Sequence, residues 1–240
     1  MILPSFITKR VAYLLYINVN IVADLFPGYL SSWVIALKMG TSHSFGNRTY
    51  SDATASEQEI KAVRAFYGAA PFQWWTDASQ EALVSRLKQN GFNSLCSFPA
   101  MEMNIAALKE QPYAPGITVK QLEHDLESLE VWISTVAQSY SLAYDDIKKL
   151  VNFLFEYTDT SNLRFYLGFL DGKPVATALA SEYDDTICLH WIGTLPELRR
   201  QGLGYAVTYQ PLIEARSRGL QYAALFASKM GRHTSSVAPG

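Results

Sequence analysis

Only two cysteines, Cys96 and Cys188, occur in 240 residues. They form no disulfide framework, so a reducing, cytoplasmic setting is the simpler expectation. Charge is scarce too: 20 Lys and Arg stand against 22 Asp and Glu, a formal net charge of −2. That balance gives no electrostatic footprint for nucleic acid, and none is expected as a partner. The four histidines, His43, His124, His190 and His233, are dispersed without metal-ligand spacing, so no metal is expected. There is no Gly-x-Ser-x-Gly elbow, no Gly-Lys-Ser/Thr phosphate-loop ending and no Gly-x-Gly-x-x-Gly, which removes the common hydrolase, nucleotide and dinucleotide signatures. Long apolar runs are also missing. Residues 11–39 are apolar overall, but Asn18, Asn20, Asp24 and Pro27-Gly28 interrupt them before the roughly 20 residues a spanning helix needs. Residues 1–10 lack the basic, apolar, small-residue order of a signal peptide. No integral membrane association is expected; residues 11–25 read as a buried helix, followed by a turn and a strand over 31–37.

What is present is apolar residue in quantity. At 49% hydrophobic and 18% charged, the chain can bury a sizeable core. The stretch Gln111-Pro112-Tyr113-Ala114-Pro115-Gly116 is the best linker candidate and divides the chain near its middle. After it, 117–122 reads as a strand. Residues 125–139 read as a helix with Leu126, Leu129, Trp132, Ile133 and Val136 on one face, and 145–156 as a second helix. Residues 163–170 and 174–183 read as a hairpin around Asp171-Gly172. A strand over 186–194, a helix over 205–218 stopped by Gly219, and a strand over 222–227 complete the half. Before the linker, 56–67 and 79–89 read as helices and 71–76 as a strand; after Gly91-Phe92 a strand-like run ends at 101–105. Trp74, Trp75, Phe72 and Phe66 read as core, because no basic groove accompanies them.

The stretch 192–205, Ile-Gly-Thr-Leu-Pro-Glu-Leu-Arg-Arg-Gln-Gly-Leu-Gly-Tyr, reads as strand end, tight turn, glycine loop and helix start. Such a loop is a physical device for holding phosphate. Gly202 and Gly204 allow close backbone approach and positive φ, and the first amides of the helix point at an anion that the helix dipole favours.

The spacing Arg199-x-x-Gly202-x-Gly204, with the strand before it and the helix and strand after it, resembles the acyl-CoA loop of the GNAT acetyltransferase superfamily, over about 117–228. The resemblance implies an α/β (α+β) fold: a mixed, mostly antiparallel sheet flanked by helices. It implies acetyl-CoA as cosubstrate, without a metal, and transfer of its acetyl group to an amine. The CoA arm would lie between strands 186–194 and 222–227. Backbone groups of Ile192, Gly193 and Thr194 would meet the pantetheine arm; amides from Arg200, Gln201, Gly202, Leu203, Gly204 and Tyr205 would hold the pyrophosphate. Arg199 faces the phosphate or plays a structural part. The acceptor is a small-molecule or peptide amine, and a homodimer is compatible with the family.

The chain then divides into a GNAT domain over 117–240 and an N-terminal domain over 1–111. The latter reads as a degenerate GNAT-like unit without a glycine loop, or as an unrelated α+β lead-in. The last eight or nine residues are polar, small and turn-prone, and the family's closing strands have no counterpart there. The family's usual thiolate-protonating tyrosine has no counterpart there; its place falls near Ser235. The edge of strand 222–227 would then need cover, with 101–105 as the candidate. For the base, His190 lies two residues before Ile192, on the same face of a regular strand; its other reading is packing. Glu182 and Tyr183 are the runners-up, read otherwise as strand-end solvation. Cys188 reads as a core thiol. Trp132, Tyr140 and Phe153 line an acceptor pocket or belong to the core. An enzyme and a catalytically weak CoA-binding protein both remain open.

Overall fold

A computed structural model describes residues 30–31, 34–77, 79–109, 111–157 and 160–227. The expected helix over 11–25 and the tail over 228–240 lie outside the described residues. In chain order the elements are β1 (Leu30–Ser31), β2 (Val34–Lys38), β3 (Asn47–Ser51), α1 (Glu57–Tyr67), β4 (Gln73–Trp75), α2 (Glu81–Gln89) and β5 (Ala100–Asn104). They continue as β6 (Ile117–Gln121), α3 (Leu126–Tyr140), α4 (Tyr144–Tyr157), β7 (Leu163–Leu170), β8 (Lys173–Tyr183), β9 (Thr186–Thr194), α5 (Leu203–Ser217) and β10 (Tyr222–Phe226). Among the described residues the chain divides into two units, one from 97–147 and 160–227, the other from 30–96 and 148–157.

The second unit holds the four-stranded sheet β1-β2-β3-β4. Ser56 caps α1 through a full capping box with Glu59, which satisfies orphan amides at the helix start. Ile60, Val63 and Tyr67 bury one face of α1 against Val34, Ala36 and Leu83. Phe66, Phe72 and Trp74 pack on the same cluster, as expected, whereas Trp75 is half-buried outside it with the Arg48 guanidinium over its ring.

The first unit holds a six-stranded sheet ordered β5-β10-β9-β8-β7-β6. Every neighbouring pair is antiparallel except β9 and β10, which run parallel. This is the mixed, mostly antiparallel sheet expected. The segment that closes the β10 edge is β5, from Tyr222 opposite Asn104 to Phe226 opposite Ala100. It precedes the linker in sequence, and it satisfies backbone groups that β10 would otherwise leave unpaired.

Helix α5 covers one face, where Ala176, Ala178, Ala180, Ile187 and Leu189 meet Leu203, Ala206 and Val207. The alanines are small for a reason: α5 sits so close that a Cβ on Gly168 would stand 2.6 Å from Val207 Cγ1. Helix α3 covers the other face. Asp125 caps it by accepting from the Ser128 amide at 2.9 Å, and that bond holds the carboxyl below its usual range. Trp132 is fully buried there and donates Nε1–H to the Ala178 carbonyl at 3.1 Å. Trp132 is therefore core, and Phe153, on α4 in the other unit, is buried as well. Leu126, expected on the buried face, is the first residue of α3 and is 84% exposed.

Candidate functional site

The site is built where β9 and β10 part. The parallel pairing runs from Tyr222 opposite Thr186 to Leu225 opposite Leu189. β9 continues to Thr194 with β8 beside it, while β10 ends at Phe226. Among the described residues no strand pairs along the β10 side of His190–Thr194, which leaves that edge of β9 as an unpaired slot.

A bulge shapes this end of β9. Thr177 lies opposite Gly193 and Leu179 opposite His190, so β9 spends one residue more than β8. Trp191 absorbs the extra residue at φ 50°. The bulge corrects the regular-strand expectation: His190 and Ile192 no longer share a face. Ile192 packs on the α5 side of the sheet, whereas His190 Nε2 lies 3.1 Å from Ser181 Oγ. Thr177 Oγ1 donates to the Trp191 carbonyl at 3.0 Å, and the Tyr140 hydroxyl to the Ile192 carbonyl at 2.8 Å. Tyr140 is 42% exposed and also meets Trp191 edge-on, its ring centroid 5.4 Å away. Gly193 is required by close approach: a Cβ there would stand 2.9 Å from both Ser139 Cβ and Tyr140 Cε2.

Beyond Thr194 the chain turns through Pro196–Leu198 and reaches the loop. Arg200 has φ 64° and Gly202 φ 89°, two left-handed residues with Gln201 between them, a combination that turns amides toward one side. Gly202 is the N-cap of α5 and no side chain caps the helix. The helix therefore begins with uncompensated amides and the positive end of its dipole beside an exposed loop, Arg199–Gly202. Leu203 anchors the start in the core, and Gly204 and Tyr205 follow half-buried. Arg199 donates to the carbonyls of Thr194 at 3.2 Å and Ser139 at 2.9 Å. Of its two expected parts these contacts are the structural one, tying the loop to β9 and to α3.

Glu182 stands elsewhere. It lies opposite Ile187, seven residues before Thr194 along β9, roughly 23 Å from the loop at strand rise. Arg164 grips its carboxylate with two contacts, at 2.9 and 3.1 Å, and Arg218 adds a third. Tyr183 is an exposed strand end. Cys188 is buried and its thiol is pushed up to about 12 by desolvation, which makes it inert.

Two features escaped the sequence reading. Tyr205 and Tyr209 stack at 5.1 Å with Tyr113 edge-on to both, and Tyr113 donates to Gln210 at 2.6 Å. Glu102 on β5 has a buried carboxylate oxygen without a partner. A hydrophobic count sees Met101-Glu102-Met103 only as a strand.

Comparisons with known proteins agree with this geometry. The family model "Acetyltransferase (GNAT) family" matches residues 127–234. A search of curated proteins found no match. A solved GCN5-related N-acetyltransferase from Kribbella flavida superposes with a TM-score of 0.67 at 18% identity, covering 93% of this chain and 86% of that one. A second, from Sphaerobacter thermophilus, gives 0.62 at 12% identity over 90% and 80%. At these identities the likeness is one of fold, and it spans nearly the whole chain. The segment that carries the bulged strand, the glycine loop and the uncapped helix is a domain of the GNAT acetyltransferase family.

Proposed function

We propose that this protein is an N-acetyltransferase moving an acetyl group from acetyl-CoA to a primary amine by direct attack. One observation carries the reading: the uncapped start of α5, behind a loop with two left-handed residues, stands at the open end of β9 where β10 has ended. An anion at the loop and an extended arm in the slot are the ligands this arrangement fits. The pyrophosphate goes to the amides of Arg200 to Tyr205. The arm pairs with backbone groups of Ile192, Gly193 and Thr194; the Ile192 carbonyl keeps a second lone pair beside the Tyr140 hydroxyl. The thioester then lies by the bulge. The amine nitrogen bonds to the thioester carbonyl carbon, the C–S bond breaks, and CoA leaves as a thiolate that takes up a proton. His190, polarised by Ser181, is the group we assign to accept the amine proton. Glu182 is set aside as a base, since two arginines occupy it.

The whole-chain likeness to the Kribbella structure supports reading residues 1–111 as a GNAT-like unit without a loop of its own. Cys96 and Cys188 are both free thiols, which supports a reducing, cytoplasmic setting.

The test is calorimetry with acetyl-CoA and with CoA, then thiol release over a panel of amines. Binding with turnover is expected. Binding without turnover selects a CoA-binding protein instead, and no binding overturns both readings.

A further inference from the structure

Two side-chain hydroxyls end on consecutive carbonyls of the β9 bulge. Thr177 Oγ1, on β8, donates to the Trp191 carbonyl at 3.0 Å. The Tyr140 hydroxyl, at the end of α3, donates to the Ile192 carbonyl at 2.8 Å. Trp191 itself is left-handed at φ 50°, a conformation that is strained for a bulky side chain and persists only where its surroundings hold it.

These bonds set which way the peptide groups face. The described peptide bonds are all trans, and across a trans peptide C=O and N–H point opposite ways. With the Trp191 carbonyl held by Thr177 on β8, the Ile192 amide is turned off β8, toward the edge that no described strand pairs. The Ile192 carbonyl lies on the same edge, because a residue in a strand presents its N–H and C=O to one side. There the Tyr140 hydroxyl takes one of its two lone pairs. Tyr140 reaches it because Gly193 has no side chain: a Cβ at Gly193 would stand 2.9 Å from Tyr140 Cε2. Arg199 ties the end of α3 to β9, donating to the Ser139 carbonyl at 2.9 Å and the Thr194 carbonyl at 3.2 Å. The turn that carries Tyr140 is thus fixed to the strand it acts on.

We infer that Tyr140 and Thr177 are positioning residues, which hold Ile192 with its N–H and one carbonyl lone pair facing the slot, in the orientation that an extended, amide-bearing arm requires. This rests on the acyl-transfer reading above. The arm of CoA carries amides, and an amide that meets Ile192 donates to its carbonyl and accepts from its N–H, as a neighbouring strand would. Without the hydroxyls, the strain at Trp191 is relieved by rotation of the peptides on either side of Ile192, and that pairing is lost. Both hydroxyl bonds end on β9 and not on the loop before α5. Their effect therefore falls on the arm, while the phosphate end of the ligand is held without them.

The test is calorimetry on the full-length protein, Y140F and T177V, with CoA and with 3′-phospho-ADP, which keeps the nucleotide and pyrophosphate and lacks the arm. Each variant is expected to weaken CoA binding about fivefold or more, the worth of one lost hydrogen bond, and to leave 3′-phospho-ADP binding within about twofold. CoA binding by Y140F within twofold of wild type overturns the inference. So does an equal weakening of CoA and 3′-phospho-ADP, which a merely structural role would give. Wild type that binds CoA no tighter than 3′-phospho-ADP takes the arm out of the slot and overturns it as well. A selective loss of CoA binding in Y140F, with no transfer to any amine by wild type, bears out the positioning role and overturns the acyl-transfer reading alone. Wild type that binds neither ligand overturns both. Should Y140F fail to fold, the carbonyl carbon resonance of Ile192 in wild type is the second readout. CoA must shift it and 3′-phospho-ADP must not; a resonance unmoved by CoA overturns the inference.

Discussion

Arg164 and Glu182 meet diagonally across the β7–β8 ladder, where Arg164 lies opposite Ala180, with Nε to Oε1 at 2.9 Å and Nη2 to Oε2 at 3.1 Å. The pair is two-pronged and largely buried, the side chains 23% and 11% exposed. Arg218, just past α5, closes on the same carboxylate. A sequence shows Glu182 only as an acid at the end of a strand. The structure makes it a clamp between the sheet and the C-terminal end of α5. Glu182→Ala leaves two guanidinium groups without their counter-charge, and is expected to lower unfolding stability by about 2–4 kcal/mol. Urea unfolding measures this. Turnover per folded molecule should be unchanged; a hundredfold loss would return Glu182 to the chemistry.

Gly202 separates strain from charge. At φ 89° any L side chain is disfavoured, so Gly202→Ala should cost about 1 kcal/mol of stability. Gly202→Asp adds a negative charge where the pyrophosphate is assigned. It should lose at least about 1.4 kcal/mol of CoA affinity beyond the alanine variant, which is tenfold. Calorimetry on both variants checks it, and equal affinities would remove the loop from the site.

His190→Ala should lower turnover about a hundredfold. Raising the pH should restore part of the rate, because more of the amine is then already unprotonated. Near-normal turnover across pH would leave His190 as packing between Ser181 and the slot.

Cys188 and Cys96 should differ sharply in reactivity. Burial pushes the Cys188 thiol from its ordinary 9.0 up to about 12, so at pH 8 it is neutral as well as covered. Iodoacetamide at that pH should label the exposed Cys96 and spare Cys188 in the native protein, read by mass spectrometry. The raised folded value means the stability tied to the neutral thiol is present below about pH 9 and is lost as pH rises toward 12. The stability difference between wild type and Cys188→Ala should be constant below that range and shift against wild type above it, read from alkaline melting curves.

Removing residues 1–116 deletes β5 and bares the β10 edge from Tyr222 to Phe226. The remaining fragment should be insoluble or melt without cooperativity. A soluble fragment with a sharp calorimetric transition that binds CoA would show that β5 is dispensable.

The linear sequence determined the order and kind of the elements in the second half. Period-3.6 spacing placed α3 and α5, alternation and Asp171-Gly172 placed the β7–β8 hairpin, and the two glycines marked the loop before α5. Those are local properties, set by side-chain periodicity and by backbone freedom at single residues. Tertiary structure decided what depends on pairing between distant strands. The bulge at Trp191 arises because β9 must match β8 with one residue to spare, and it moved His190 off the face that simple alternation gave. Glu182 was removed from the site by Arg164 and Arg218, which lie 18 and 36 residues away. The cover of β10 has the same cause: 101–105 is the candidate the unpaired edge suggests, but only strand pairing sets Tyr222 opposite Asn104 and Phe226 opposite Ala100, because no local pattern records register between distant strands.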